Sequence, residues 1–253
     1  MIEIDYRRDP LVRWALPAPG ARVWRRPDAV VVACPDLSHW DRLVMNGEPA
    51  AVAKLLREVL AETGETFRPF GTEELVNEVV ARVPELEVSA TFAWMETTQP
   101  VRRCGSAERG QRGGPAGAVR RGATTGPTPV WLGEDEWPEV TEMMREAYPE
   151  SYAWPGAAGV HRWAGIRGDG GELLTVAAEA WSTREIGFMS GVATRPSARG
   201  RGLGAAICAF AADELLAGRE RVALLVDYWN TAALATYTRL GFTTRRVAAA
   251  RRR

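Results

Sequence analysis

Hydrophobic and polar positions divide the chain into short apolar runs and longer segments with helical spacing. The apolar runs are typical of strands, because turn residues bound them and β-branched side chains are frequent in them. Segments in which apolar residues recur every three or four positions predict amphipathic helices. The two kinds alternate, which predicts an α/β protein. Strands are expected at residues 29–34, 41–47, 86–95, 129–132, 163–167, 172–181, 186–194, 222–226 and from 242, and helices at 50–62, 72–82, 134–148, 203–216 and 231–239.

Residues 99–128 interrupt this alternation. The stretch holds seven glycines, three prolines and six arginines, with almost no large apolar side chain. This composition predicts a flexible linker between an N-terminal αβ lobe at 1–98 and a C-terminal catalytic domain at 129–253. The arginines would suit nucleic acid, but no aromatic residues are interleaved with them, so a solvated spacer is favoured.

A glycine- and arginine-rich loop joins the strand at 186–194 to the helix that begins near Leu203. Gly200, Gly202 and Gly204 permit positive φ and a close approach of a ligand to the backbone. The helix start directs unpaired N–H groups and the positive end of its dipole into the loop. Arginine side chains in the loop add planar donors for phosphate. The loop therefore predicts a diphosphate site, with an ordinary surface turn as the alternative.

Two other nucleotide-binding loops fit this segment less well. A P-loop needs Gly-Lys and then Ser or Thr, whereas Ala205 and Ala206 follow Gly204. The pattern G-x-G-x-x-A from Gly200, with Glu220 about twenty residues on, nearly matches a dinucleotide fingerprint. That fingerprint normally opens a long βαβ domain, and only about fifty residues remain after it.

A second motif follows the loop along the chain. Asn230 is suited to cap a helix that carries Ala233 and Tyr237, and Gly241-Phe242 follows the helix. Together with Arg199-Gly200-Arg201-Gly202-Leu203-Gly204, this motif resembles the GNAT superfamily of acyl-CoA-dependent N-acyltransferases. The N-terminal lobe more weakly resembles the degenerate half of two-lobed, glycine N-acyltransferase-like members. The resemblance implies the GNAT fold, a mixed α/β (α+β) architecture with a central sheet flanked by helices.

The resemblance also implies a cosubstrate, acetyl-CoA or another acyl-CoA, and direct transfer in a ternary complex. The strand before the loop would hold the pantetheine arm by its backbone, and the loop N–H groups would hold the diphosphate. Tyr237 takes the general-acid position, because a phenol with a pKa of about 10 can donate a proton to the leaving thiolate; a core aromatic is the alternative. The implied cofactor-binding residues are Val192, Ala193, Thr194, Arg199, Gly200, Arg201, Gly202, Leu203, Gly204 and Asn230.

The general base stays open among three residues. Glu179 is the first choice, since many relatives carry a carboxylate on this strand, although it would equally suit a solvent-facing position. His161 is the runner-up, with an ordinary pKa near 6.5. Asp227 ends its strand near the expected cofactor channel, where fixing the adjacent loop is its more ordinary role. Tyr152, Trp154 and His161 lie in an aromatic-rich connection and are candidate acceptor contacts.

Composition narrows the functional class without defining it. The chain has 32 basic and 32 acidic residues, which gives no general attraction to nucleic acid or membranes. No apolar leader or membrane-length apolar window is present, and three scattered cysteines with two histidines do not predict a metal site. His39 beside Trp40 would suit a ligand-binding pair, although an ordinary core or loop histidine is commoner.

The sequence therefore predicts a cytoplasmic N-acetyltransferase, a monomer or homodimer, that acts on the primary amine of a small or amino-acid-like acceptor. Two alternatives remain. One is a non-catalytic acyl-CoA-binding regulatory module, and the other is an acetyltransferase that acts on a protein or an aminoacyl-tRNA.

Overall fold

A computed structural model describes residues 5–101 and 128–253, so most of the predicted linker lies outside the described residues. The N-terminal part contains three helices and five strands besides a 3₁₀ turn at Tyr6–Arg8. In chain order they are α1 (Pro10–Ala15), β1 (Arg22–Arg26), β2 (Ala29–Leu37), β3 (Trp40–Gly47), α2 (Pro49–Glu62), β4 (Arg68–Thr72), α3 (Glu73–Arg82) and β5 (Leu86–Thr97).

The C-terminal part contributes the other helices and strands of the described chain, with 3₁₀ turns at Glu134–Glu136 and Pro196–Ala198. Its helices agree with the expected positions to within a few residues, and α5 and α6 agree at both ends. The elements are β6 (Val130–Trp131), α4 (Trp137–Ala147), β7 (Val160–Arg167), β8 (Leu173–Ala180), β9 (Ile186–Thr194), α5 (Leu203–Leu216), β10 (Arg221–Asp227), α6 (Thr231–Arg239) and β11 (Thr243–Arg252).

All the described strands form one mixed sheet, which confirms the predicted fold class. The strand order is β1-β2-β3-β4-β11-β5-β10-β9-β8-β7-β6. Two neighbouring pairs are parallel, β3 with β4 and β9 with β10, and each is connected through a helix, α2 or α5. The remaining neighbours are antiparallel.

The two parts of the chain exchange their last strands. β5, which ends the N-terminal part, pairs with β10 from Thr97 opposite Val222 to Phe92 opposite Asp227. β11, which ends the C-terminal part, pairs with β4 of the N-terminal part and with β5. Division of the chain near residues 99–128 therefore separates two segments of sequence that share a single sheet.

The sheet has a front face and a back face with different cores. On the front face, the stacked rings of Trp14 and Phe188 and the adjacent Trp94 join α1 to both parts of the sheet, and α4 packs beside them. On the back face, α2 and α3 cover the N-terminal strands, and α5 and α6 cover the C-terminal strands. The side-chain indole N–H of Trp14 donates to the carbonyl of Trp181 at 3.0 Å, which ties α1 to the C-terminal part.

Three elements were not predicted, and each has an unfavourable local sequence. α1 has six residues, too few to show a helical stripe. β4 contains Pro69 and Gly71, residue types that strands disfavour. β1 is a mostly exposed edge strand with three arginines, which is typical of protected sheet edges. Within the described residues, no helix is long and apolar enough to cross a membrane.

Candidate active site

The parallel strands β9 and β10 separate along their length. They pair only from Ile186 opposite Arg221 to Phe188 opposite Ala223. Beyond that point β9 continues to Thr194 and β10 to Asp227 without pairing to each other. The predicted pantetheine-binding residues 192–194 lie on this separated part of β9. The two strands therefore form an opening that connects the front and back faces at the edge next to the Gly/Arg loop.

A bulge in β9 accompanies the opening. The register with β8 shifts between Ala193 opposite Val176 and Ser190 opposite Ala178, and Gly191 within the bulge has φ +58°. A Cβ on Gly191 would lie 2.7 Å from a ring carbon of Trp163, so only glycine fits there. Bulges bend a strand and increase its twist. The bulge thus accounts for the departure of β9 from β10.

The Gly/Arg loop leaves open space at the start of α5. Gly200 and Gly202 have φ +76° and +77°, and a Cβ on either would meet nothing within 4 Å. Side-chain oxygens cap α1, α2, α3 and α6, whereas Gly202 offers α5 none. Among the described residues, the backbone N–H groups of residues 200–204 form no hydrogen bond. These donors and the helix dipole make a concave site for an anion.

The loop arginines serve different purposes. Arg199 donates to the carbonyls of Thr194 and Ala147, each at 3.3 Å, and so braces the loop against β9 and α4. Arg201 is exposed and has no partner among the described residues. Arg201 is therefore the loop arginine that remains available to a bound phosphate. The adjacent Leu203 is buried in the back core and anchors the first turn of α5.

Tyr237 and Tyr148 approach the opening from opposite faces. Tyr237 lies on α6 in the back core, with its hydroxyl oxygen 3.9 Å from the sulfur of Cys208. Tyr148 follows α4 on the front face and is close enough to raise the pKa of Tyr237 further. Burial is the main reason that the pKa of Tyr237 is well above its ordinary value, with Cys208 as the next cause. Tyr237 therefore stays protonated and is suited to donate a proton.

Asp227 ends β10 on the front side of the opening. Leu225, two residues earlier on the strand, packs against the front core, and strand alternation places Asp227 on the same face. Its carboxylate forms no hydrogen bond or ion pair within residues 5–101 and 128–253, and burial raises its pKa. It also lies close enough to Tyr148 to raise the pKa of that phenol, after burial. A partly desolvated, unpaired carboxylate of this kind is a candidate general base.

Glu179, the first choice as base, lies on β8 as expected, toward the end remote from the Gly/Arg loop. It is 4% exposed, and its oxygens pair with Arg162 Nε at 2.6 Å and Arg219 Nη2 at 2.7 Å. Burial raises the pKa of Glu179, but the two arginines and Ser182 outweigh burial and lower it. Arg219 lies just after the C-terminal end of α5, about 20 Å along the helix from Gly202. Both carboxylate oxygens are thus engaged, which weighs against a role in proton abstraction.

The remaining predicted residues fall into two groups. Asn230 caps α6 through Oδ1, which accepts from the N–H of Ala233 at 3.1 Å, and its Nδ2 has no partner among the described residues. Tyr152 and Trp154 lie on the front face after α4, and the indole of Trp154 donates to the carbonyl of Ser151. His161 is exposed at the start of β7, opposite the end of β8 that is remote from the Gly/Arg loop. The structure therefore separates His161 from the other acceptor candidates.

Tyr148 and Arg42 were not identified from the sequence. The sequence places Tyr148 at the end of a helix, and only its position near Asp227 and opposite Tyr237 marks it as a site residue. Arg42 begins a run of four consecutive buried residues on β3, and sequence alone gives no indication that its guanidinium is buried. A charged residue next to the apolar run at 43–45 is only a weak signal of burial.

The opening, bulge and uncapped helix describe a class of fold that comparison with solved structures identifies. A GCN5-related N-acetyltransferase from Kribbella flavida is 18% identical, with a TM-score of 0.63 over 95% of this chain and 92% of that one. A GNAT-family protein from Novosphingobium aromaticivorans is 18% identical, with a TM-score of 0.56 over 96% and 97%. A GCN5-related N-acetyltransferase-like protein from Streptococcus suis is 12% identical, with a TM-score of 0.54 over 100% and 96%. The chain therefore has the GNAT fold along its whole described length.

A family model agrees with this result in the C-terminal part. The model described as FR47-like protein matches residues 165–251, which include the bulge, the Gly/Arg loop, Asp227 and Tyr237. No curated protein matches the sequence. The C-terminal part of the chain thus matches this family model, and the chain as a whole has the GNAT fold that the loop and the Asn230–Phe242 motif predicted.

Proposed function

We propose that this chain is an acyl-CoA-dependent N-acetyltransferase that transfers the acetyl group of acetyl-CoA to a primary amine. We infer a cytoplasmic enzyme that acts on a small or amino-acid-like acceptor. The observation that carries the proposal is the opening between β9 and β10. The Gly/Arg loop with its free N–H groups lies beside it, a protonated phenol on its back side and, among the described residues, an unpaired carboxylate on its front side. The structural relatives from Kribbella flavida and Streptococcus suis, described as an N-acetyltransferase and an N-acetyltransferase-like protein, support the same activity.

The residues of the Gly/Arg loop fit the cosubstrate. The diphosphate of acetyl-CoA would accept hydrogen bonds from the free N–H groups of residues 200–204, with Arg201 as the adjacent cation. The backbone of Val192, Ala193 and Thr194, which β10 leaves unpaired, would bind the amides of the pantetheine arm. Asn230 retains its Nδ2 donor for the same arm.

Transfer needs one base and one acid. The amine nitrogen attacks the thioester carbonyl carbon, a C–N bond forms, the C–S bond breaks, and the nitrogen loses a proton. We assign that proton to Asp227, in place of Glu179, because Asp227 is unpaired among the described residues and lies on the front side of the opening. The raised pKa of Asp227 makes its carboxylate a stronger base than an ordinary aspartate.

Tyr237 is the proposed acid. Its hydroxyl lies behind the opening near Cys208, and its raised pKa keeps the proton in place until a thiolate forms. Coenzyme A then leaves as the thiol, and the proton balance is complete. Cys208 itself is buried, and burial raises the pKa of its thiol to about 12, so it is unsuited to act as a nucleophile.

The test is release of free thiol from acetyl-CoA in the presence of a panel of primary amines. We expect amine-dependent thiol release that Asp227→Asn lowers by about 100-fold or more, since a general base contributes about 10²–10⁴. Asp169→Asn, in the exposed turn between β7 and β8, is the matched control and should leave the rate unchanged. Binding of acetyl-CoA without thiol release from any amine would contradict the proposal and indicate a regulatory acyl-CoA-binding module.

A further inference from the structure

A buried arginine on the front face has no counter-ion. Arg42 of β3 is 2% exposed, and its Nε donates to the carbonyl of Leu37 at 2.8 Å. In the described parts of the chain, its Nη atoms form no hydrogen bond and no carboxylate pairs with it. Burial lowers the pKa of Arg42 to about 10. An unpaired buried cation is costly, and Arg42 is therefore a candidate binding group.

The surroundings of Arg42 are aromatic and cationic. Its guanidinium lies 4.6 Å from the ring centre of Phe70, and its neighbour across the strand pair, Arg68, stacks on Trp40 at 3.4 Å. Arg68 is close enough to lower the pKa of Arg42 further. Two guanidinium groups thus lie on neighbouring strands, and neither has a carboxylate partner among the described residues. This environment favours a ligand with negative charge.

Aromatic side chains from both parts of the chain meet close to Arg42. The ring of His39, in the turn between β2 and β3, stacks on Tyr152 at 5.1 Å, and Trp40 meets Tyr152 edge-on at 6.1 Å. Tyr152 is 40% exposed. His39, Trp40 and Arg68 border a cavity of about 770 Å³, which carboxylates and the arginines at 251–253 also line. The neighbours of Arg42 in the sequence and across the strand pair therefore line an accessible cavity.

The turn that carries His39 is strained. Asp36, Ser38 and His39 have φ of +49°, +55° and +69°, and among the described non-glycine residues only Trp181 shares this region. Such conformations are uncommon for residues with a side chain, and they concentrate at ligand-binding sites. The strain holds the imidazole against Tyr152 and the Leu37 carbonyl against Arg42.

A series of electrostatic interactions relates Arg42 to the opening. Tyr152 is close enough to Arg42 to raise the pKa of that arginine, and close enough to Tyr148 to raise the pKa of that phenol. Tyr148 in turn interacts with Asp227. Strand order places four spacings between β3 and β10, a lateral separation of about 20 Å at about 4.8 Å per strand, and Arg42 is also offset along the strands from the row of Asp227. A ligand that reaches both ends must be elongated.

We propose that Arg42, assisted by Arg68, binds an anionic group at the far end of the acceptor, which is an elongated amine carrying a carboxylate. The amine lies at Asp227 and the carboxylate at Arg42. This inference rests on the proposed acetyltransferase activity and specifies its substrate class. The N-terminal part of the chain thereby supplies acceptor specificity, while the C-terminal part supplies the chemistry.

The experiment compares ω-amino acids from glycine to 8-aminooctanoate with the ω-amino amides of equal length, using thiol release from acetyl-CoA. In the wild type, the longer carboxylates should show kcat/KM about 10- to 100-fold above their amides, because a hydrogen bond to a charged partner contributes about 1.5–3 kcal/mol. Arg42→Met should abolish this preference by raising KM for the carboxylates, and it should leave kcat/KM for the amides unchanged. Arg145→Met, on the exposed side of α4, should preserve it.

Stability distinguishes this role from a purely structural one. Replacement of an unpaired buried cation by an apolar side chain of similar size should leave the unfolding midpoint of Arg42→Met equal to or above that of the wild type. In addition, 8-aminooctanoate should raise the midpoint of the wild type and of Arg145→Met, but not that of Arg42→Met. Arg42→Lys, which keeps the charge, should retain part of the preference.

Results other than those expected contradict either the anion site at Arg42 or the acetyltransferase activity. Equal turnover of carboxylates and amides by the wild type, or a preference that survives in Arg42→Met, overturns the inference and leaves the acetyltransferase proposal intact. Absence of thiol release with every amine refutes the proposed activity. In that case the shift of the unfolding midpoint by 8-aminooctanoate is the remaining test of the anion site at Arg42. An equal shift in the wild type and in Arg42→Met, or no shift in either, overturns the inference.

Discussion

Gly191→Ala tests the structural origin of the opening. Gly191 lies in the β9 bulge at φ +58°, and an added Cβ would lie 2.7 Å from Cη2 of Trp163 and 3.2 Å from Cβ of Ala153. Trp163 and Ala153 are fully buried in the front core, so neither has room to withdraw. The methyl group therefore forces the bulge to change its shape or displaces the tryptophan.

The cost has two parts that a control variant separates. A left-handed conformation costs an alanine about 1–2 kcal/mol, and overpacking a core costs about 1–3 kcal/mol more. Gly191→Ala should thus lose about 2–5 kcal/mol of unfolding free energy, and the midpoint should fall by about 2–4 °C per kcal/mol. Gly218→Ala has a similar φ, +77°, with nothing within 4 Å of the new Cβ, and should show only the backbone part.

The assay is urea unfolding of both variants, followed by far-UV circular dichroism, with the wild type alongside. Gly191→Ala should exceed Gly218→Ala by about 1–3 kcal/mol. Affinity for acetyl-CoA should also fall only in Gly191→Ala, because only that change alters β9. Equal losses of stability in the two variants would refute the conclusion that Trp163 packing requires glycine at the bulge.

Four further outcomes are expected. Gly202→Glu should abolish acetyl-CoA binding in calorimetry, because it places bulk and negative charge in the anion site, while Gly218→Glu should bind normally. Tyr237→Phe should lower kcat with little change in cofactor affinity, and comparable turnover would remove it as the acid. Because burial raises the pKa of Asp227, the native state binds more protons than the unfolded state between the ordinary and the raised pKa. Stability should therefore fall and kcat/KM should rise as the pH increases through that window, and Asp227→Asn should remove both trends. Glu179→Gln should lower the free energy of unfolding by about 2–3 kcal/mol, a loss moderated by the partial exposure of its two arginines. In the wild type, this stabilisation is present at neutral pH and is lost as the pH falls through the lowered pKa of Glu179. An unchanged pH profile of kcat/KM in Glu179→Gln would separate its structural role from that of a base.

Local sequence determined the elements around the loop, and these were predicted well. The strand at 186–194, the glycines at 200, 202 and 204, and the cap at Asn230 each act within a few residues, so their pattern is visible in one window. The expectation of a GNAT fold followed from them. Strand β4 was missed because Pro69 and Gly71 form a strand only where β3 and β11 provide partners.

Long-range contacts were beyond this kind of reasoning. The alternation of apolar and polar residues along β8 cannot show that Arg219, forty residues away, donates a hydrogen bond to a carboxylate oxygen of Glu179. It likewise cannot place Tyr152 near Arg42, since these residues lie in different parts of the chain. The exchange of β5 and β11 has no local signature either, because antiparallel partners distant in sequence carry no connecting turn to reveal them.

The shared sheet makes each half of the molecule dependent on the other for completion. A fragment ending before residue 99 would lack the neighbour of β4, and a fragment beginning after residue 128 would lack the neighbour of β10, so each would expose an unsatisfied strand edge. Expressed together, such fragments have the geometry to reassemble by inserting their terminal strands into one another. In the intact chain, the covalent connection between the two segments then raises the effective concentration of each segment around the other. A longer connection should slow folding and leave the folded structure unchanged.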